Sequence, residues 1–128
     1  MAKYLYCIIR SDTPQTFDCP QALGDEGTAV YTINHKDLGV VVSDSESIWF
    51  DSSRRNMLVH TEVTEKVMER FTVLPVRFGS VMPDEDAIVN DLLDARYDEL
   101  DDLLTRMDNR EEMGVKSFWY EEKLIKEI

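Results

Sequence analysis

Apolar and polar positions along this 128-residue chain predict seven regular elements and a short tail. Lys3–Ser11 (KYLYCIIRS) is rich in aromatic and β-branched residues and reads as a strand. Both of its alternating sets, Tyr4/Tyr6/Ile8 and Leu5/Cys7/Ile9, are largely apolar, which predicts a central strand covered on both faces. Asp12–Thr28 holds Pro14, Pro20, Gly24 and Gly27 and reads as a loop. Two further strands, Thr28–Ile33 and Leu38–Ser43, flank Asn34-His35-Lys36-Asp37, a stretch short enough for a hairpin turn. After a polar connection, Asp51 or Ser52 is expected to cap a helix over Arg54–Phe71, whose residues Val59, His60, Val63, Val67 and Phe71 recur at three and four. A strand over Val73–Phe78 and a long helix over Asp84–Met107 follow. That helix carries Ile88, Val89, Leu92, Leu93, Leu100, Leu103, Leu104 and Met107 on one side and acids on the other. Glu112–Trp119 predicts a last strand, weakened by Gly114, and Glu121–Ile128 the start of another helix.

The order β, β, β, α, β, α, β predicts an α+β fold. We expect a ferredoxin-like sandwich over residues 1–119, with a mainly antiparallel sheet, two helices on one face and an extra strand. Residues 120–128 are expected to begin another helix.

The most unusual segment is Val73-Leu74-Pro75-Val76-Arg77-Phe78-Gly79. Proline cannot donate to a sheet ladder and belongs on an edge or at a bulge, and arginine is rarely buried unless paired. Two roles are open for Arg77. One is an ion pair with Glu62, Glu65 or Asp86. The other is a docking patch for a partner protein made with Pro75 and Phe78, and extending to Trp49 and Phe50, since arginine and aromatics are enriched in interface cores. Trp49-Phe50 and Phe118-Trp119-Tyr120 are themselves open to two readings, as core or as surface facing a missing part.

Charge narrows the partners. The chain carries a net −12, and residues 84–112 hold twelve acids against three bases. Such a surface repels a phosphate backbone, so nucleic acid is excluded as the expected partner. No apolar stretch approaches the roughly 18 residues that span a membrane, and no cleavage site follows the first apolar run, so the expected address is the cytoplasm.

Candidate chemistry is sparse. Cys7 lies in a strand expected to be buried, where thiols are inert, and Cys19 has no histidine near it in sequence. His60 is followed one turn later by Thr64, not by a second ligand, so the helix lacks zinc spacing. We read His60, with Glu65 nearby, as a structural polar group. Gly24-Asp25-Glu26-Gly27 carries two acids and reads as a turn, not a phosphate cradle. No catalytic residue, metal or cofactor is expected.

Several blocks, in order along the chain, resemble the GvpF/GvpL family of gas vesicle proteins. Tyr4-Leu5-Tyr6-Cys7-Ile8-Ile9 resembles the family's YLYGI opening, and Asp37–Ser43 its LAAVVS strand. His60, Val63 and Glu65 match a helix pattern, Val73–Gly79 matches VLPVRFG, and Met113-Gly114-Val115-Lys116 resembles a later strand. The resemblance implies a ferredoxin-like domain, usually followed by a helical C-terminal part. It also implies a non-enzymatic, cofactor-free role in forming gas vesicles through contacts with the shell protein GvpA and other accessory proteins. Two other readings of the residues are a small-molecule-binding domain or enzyme using His60 and Arg77, and a dimerisation module pairing through an exposed sheet face.

Overall fold

The computed structural model describes residues 2–24 and 29–112, with side chains through Met107. Among these residues, six strands form one antiparallel sheet: β1 (Ala2–Arg10), β2 (Thr16–Phe17), β3 (Val30–His35), β4 (Leu38–Ser45), β5 (Val73–Pro75) and β6 (Val81–Met82). The sheet order is β2-β3-β4-β1-β5, and β6 also pairs with β1. Helix α1 spans Arg54–Met68. A short turn α2 (Glu85–Ala87), a π-helical stretch (Ile88–Asp94) and α3 (Tyr97–Glu112) follow β6. The expected strand over Glu112–Trp119 and helix over Glu121–Ile128 lie outside the described residues.

This is an α+β fold consistent with the ferredoxin-like class, as the element order predicts. The helices, however, do not share one face. Val59, Val63 and Val67 of α1 pack with Tyr4, Tyr6, Cys7, Ile9, Val41 and Val73. Ile88, Leu92, Leu93, Leu100, Leu103, Leu104 and Met107 pack with Leu5, Ile8, Val40, Val42 and Leu74. The two sets alternate along β4 and so occupy opposite faces. The physical reason is already present in β1, whose apolar content on both sides requires cover on both sides.

The side sets of β1 also differ from simple alternation. Its pairing with β4 slips between Leu5 and Cys7, so Leu5 faces Val42 and Cys7 faces Val41. This β-bulge at Tyr6 puts Tyr6 and Cys7 on the same face. The strand therefore sends Tyr4, Tyr6, Cys7 and Ile9 toward α1, and Leu5 and Ile8 toward the other layer.

The hairpin between β3 and β4 turns on Lys36-Asp37, with Lys36 in the left-handed region at φ 54°. Ser53, not Asp51 or Ser52, caps α1, its side chain accepting from the Asn56 N–H at 3.2 Å. Asp51 instead accepts from the Asn56 side-chain amide. β2 falls inside the stretch expected to be loop; at two residues it leaves no periodic signal.

The expected single helix over Asp84–Met107 is interrupted at Ala95-Arg96. A continuous α-helix would rotate Met107 about 100° away from Ile88. The π-helical stretch and the break re-phase it, so that both ends of the apolar set reach the same core. Each buried leucine here stabilises the fold by roughly 2 kcal/mol.

Candidate functional site

The Val73–Met82 segment runs along the edge of β1 in two pieces. β5 pairs Pro75 with Cys7, and β6 pairs Val81 with Tyr4. Between these pairs β1 has two residues, Leu5 and Tyr6, whereas the edge has five, Val76–Ser80. The surplus becomes a turn that leaves the sheet, held at its ends by Val76 N–H to Tyr6 O at 3.0 Å and Leu5 N–H to Ser80 O at 2.9 Å. Val73–Phe78 is therefore not one strand as expected: ladder pairing stops at Pro75, which supplies no N–H.

Gly79 sits at the turn's left-handed position, φ 86°, where a side chain is strained. Its N–H donates to the Tyr4 hydroxyl at 3.0 Å. That hydroxyl lies 2.8 Å from His60 Nδ1, and His60 Nε2 lies 3.0 Å from the Val76 carbonyl. The carbonyl can only accept, so Nε2 carries the proton, Nδ1 accepts, and Tyr4 donates to it. Strand, helix and turn are thus closed into one directed ring of hydrogen bonds. Phe50, Phe78 and Tyr6 surround it, with the Tyr4–Phe50 and His60–Phe78 ring centroids 4.9 and 5.8 Å apart. Burial lowers His60 to about 4, against the opposing influence of its bond to Val76. Burial also raises the Tyr4 hydroxyl.

Two grooves flank the turn. On the α1 side, a groove of about 280 Å³ is lined by Met57, His60, Thr64, Glu65, Pro75 and Phe78 among others. On the π-helix side, a groove of about 520 Å³ includes Leu5, Val76, Arg77, Met82, Asp91 and Arg96. Pro75, Phe78, His60 and Glu65 therefore come together, while Arg77 faces the second groove. His60 and Arg77 do not converge on one pocket, as an enzyme or small-molecule site built from both would require. Arg77 is exposed and forms no ion pair with Glu62, Glu65, Asp86 or any other described residue. Trp49 is 72% exposed, whereas Phe50 packs on Tyr4.

Cys7 is fully buried and its thiol is pushed up by desolvation. Among the described residues, no three His, Cys, Asp or Glu side chains are grouped to hold a metal. No described helix is long and apolar enough to cross a membrane. Sequence reasoning missed Tyr4 as the partner of His60, and it missed Asp91 and Arg96 beside Arg77. The first pair lies 56 residues apart, so no local pattern reveals it. A helical histidine on an apolar face was the available signal that some buried partner existed.

The family model described as gas vesicle synthesis protein GvpL/GvpF matches residues 2–128. Gas vesicle protein F of Dolichospermum flosaquae is 30% identical over 118 residues, covering 91% of this chain and 47% of that protein. Gas vesicle protein F of Streptomyces sp. (strain CB03234) is 30% identical over 128 residues, covering 100% of this chain and 53% of that protein. The crystal structure of GvpF from Anabaena sp. PCC7120 is similar with a TM-score of 0.67 at 26% identity, over 82% of this chain and 44% of that one. The chain thus spans about half the length of the curated relatives it matches. With blocks, fold and a match from Ala2 to Ile128 in agreement, the chain belongs to the gas vesicle GvpL/GvpF family.

Proposed function

We propose that this domain is a non-enzymatic accessory or minor structural component of gas vesicle assembly, acting in the cytoplasm and at the vesicle. It works by contact with the shell protein GvpA and other gas vesicle proteins. The observation that carries this reading is the family match over nearly the whole chain. The turn geometry supports a contact role. Arg77 and Phe78 are lifted off the sheet edge between two grooves, and both ring nitrogens of His60 are occupied by the protein itself. A shell subunit that buries apolar surface in an assembled wall needs a soluble partner beforehand, and an acidic domain resists co-aggregation.

Co-expression of the tagged chain with GvpA tests the proposal. Retention of GvpA on the tagged domain, weakened by Arg77→Ala with the thermal transition unchanged, is the expected result. A folded domain that fails to retain soluble GvpA would overturn direct contact through this half of the relatives' length.

A further inference from the structure

The buried side of α1 is committed to the sheet, but its outer side is unusual in three ways. It exposes apolar residues: Leu58 is 54% exposed and Met57 47%, and the connection leading into the helix adds Ile48 at 76% and Trp49. Its charges are segregated. Arg54 and Arg55 stand in the first turn, while Glu62, Glu65 and Glu69 follow toward the other end, and all five are exposed. At 100° per residue, Arg54, Leu58, Glu62, Glu65 and Glu69 fall within a stripe about 80° wide. Finally, the polarity runs against the helix macrodipole, which favours acids at the N-terminus and cations at the C-terminus. The first turn has no acid, and only Lys66 sits in the last turn, 3.8 Å from Glu69.

Arg54, Arg55, Glu62 and Glu65 form no ion pair with any described residue. A basic end, an apolar middle and an acidic end make this stripe complementary to itself read in reverse. Leu58 is the midpoint between Arg54 and Glu62 in sequence. A two-fold axis beside Leu58 would set each Arg54 against Glu62 of the other copy, with Arg55 reaching toward Glu65. Leu58 would then meet Leu58, and the two opposed dipoles would offset the unfavourable charge placement within each helix.

We infer that the outer face of α1 pairs antiparallel with the same face of a second copy of this chain. The inference rests on different observations from the GvpA contact, which uses the turn at the sheet edge, and the two surfaces meet at the groove lined by Met57 and Glu65. A single helix pair lies at the small end of interface sizes, so the dimer is weak and forms with rising concentration.

Sedimentation equilibrium of the full chain from about 1 to about 500 µM, at low and high salt, tests it. The expected mass rises toward twice the monomer's, less steeply in high salt. Arg54→Glu with Arg55→Glu, and separately Glu62→Lys with Glu65→Lys, should each weaken association at least about tenfold, because every pair is made twice across the axis. Mixing the two double variants should restore association as a heterodimer, which a misfolded variant could not do. A chain that stays monomeric throughout, or double variants that associate as well as the parent, would overturn the pairing and leave the stripe to a different protein.

Discussion

The Tyr4 hydroxyl donates to His60 Nδ1 at 2.8 Å while accepting from the Gly79 N–H at 3.0 Å, so one phenolic oxygen ties the first strand to both α1 and the edge turn. A second tyrosine, at the bulge itself, holds another loop. The Tyr6 hydroxyl accepts from the Leu23 N–H at 2.7 Å and meets Ser43 Oγ at 2.7 Å, and Ser43 in turn donates to the Leu23 carbonyl. Burial pushes the Tyr6 hydroxyl up to about 12, against the opposing influence of its bonds to Ser43 and Leu23. Two neighbouring tyrosines on one face thus pin two separate segments, the edge turn and the loop at Leu23.

Tyr4→Phe keeps the ring packing but leaves the buried His60 Nδ1 and the partly buried Gly79 N–H without their partner. It should destabilise the fold by about 2 kcal/mol, measured by urea denaturation. A loss indistinguishable from zero would show that water replaces the hydroxyl and that the ring does not hold the turn.

Acid should weaken the fold earlier than carboxylate titration alone. Above the ordinary histidine value of 6.5, His60 is neutral in both folded and unfolded chains and contributes no pH dependence. As pH falls from there toward about 4, the unfolded chain binds a proton that the folded chain does not, so stability is lost, in total by about 3 kcal/mol. Asp37 and Asp44 are held low by Tyr97 and Lys3 respectively, and add their losses only below the ordinary carboxylate range. The unfolding midpoint should therefore drop between pH 6.5 and 4.5 in the parent and much less in His60→Gln. Equal slopes in both would remove His60 as the cause.

Gly24 and Gly79 both have positive φ but should respond differently to alanine. At Gly79 an added Cβ would meet no atom within 4 Å, so the cost is backbone strain alone, about 1 kcal/mol. At Gly24 (φ 115°) a Cβ would fall 2.2 Å from the Asp44 carbonyl oxygen, and backbone must move. Gly24→Ala should cost clearly more than Gly79→Ala in thermal unfolding, and the reverse order would contradict the loop geometry.

Arg10 links the far end of β1 to α3, with Nη1 3.0 Å from Asp37 and 2.6 Å from Asp101. These partners are partly exposed, so Arg10→Ala should cost about 1 kcal/mol, and less in high salt. A salt-independent loss would point to packing of the arginine stem instead.

Much of this was readable in the residues, and the gaps have identifiable causes. The two apolar sets of β1 announced a strand covered on both faces, and that reading outranked the expectation of helices on one face. The bulge was invisible because Tyr6 and Cys7 are both at home in a core, so a slip in side leaves no mark in composition. Ser52 and Ser53 are chemically equal as caps, and only the backbone geometry selects Ser53. VLPVRFG has strand-like composition, yet Pro75 and Gly79 mark where pairing stops and where the chain turns. The Tyr4–His60 contact joins residues far apart in sequence, and no periodicity encodes such a meeting.

The mismatch between β1 and its edge has an evolutionary consequence. Because β5 and β6 are anchored separately on β1, the turn between them can gain or lose residues without dragging either anchor out of alignment. Length variation there would be absorbed locally, leaving the side chains of the turn free to diversify while the scaffold stays unchanged. A one-residue deletion at Ile8, where pairing is regular, would have no such refuge: it would turn the end of the central strand inside out.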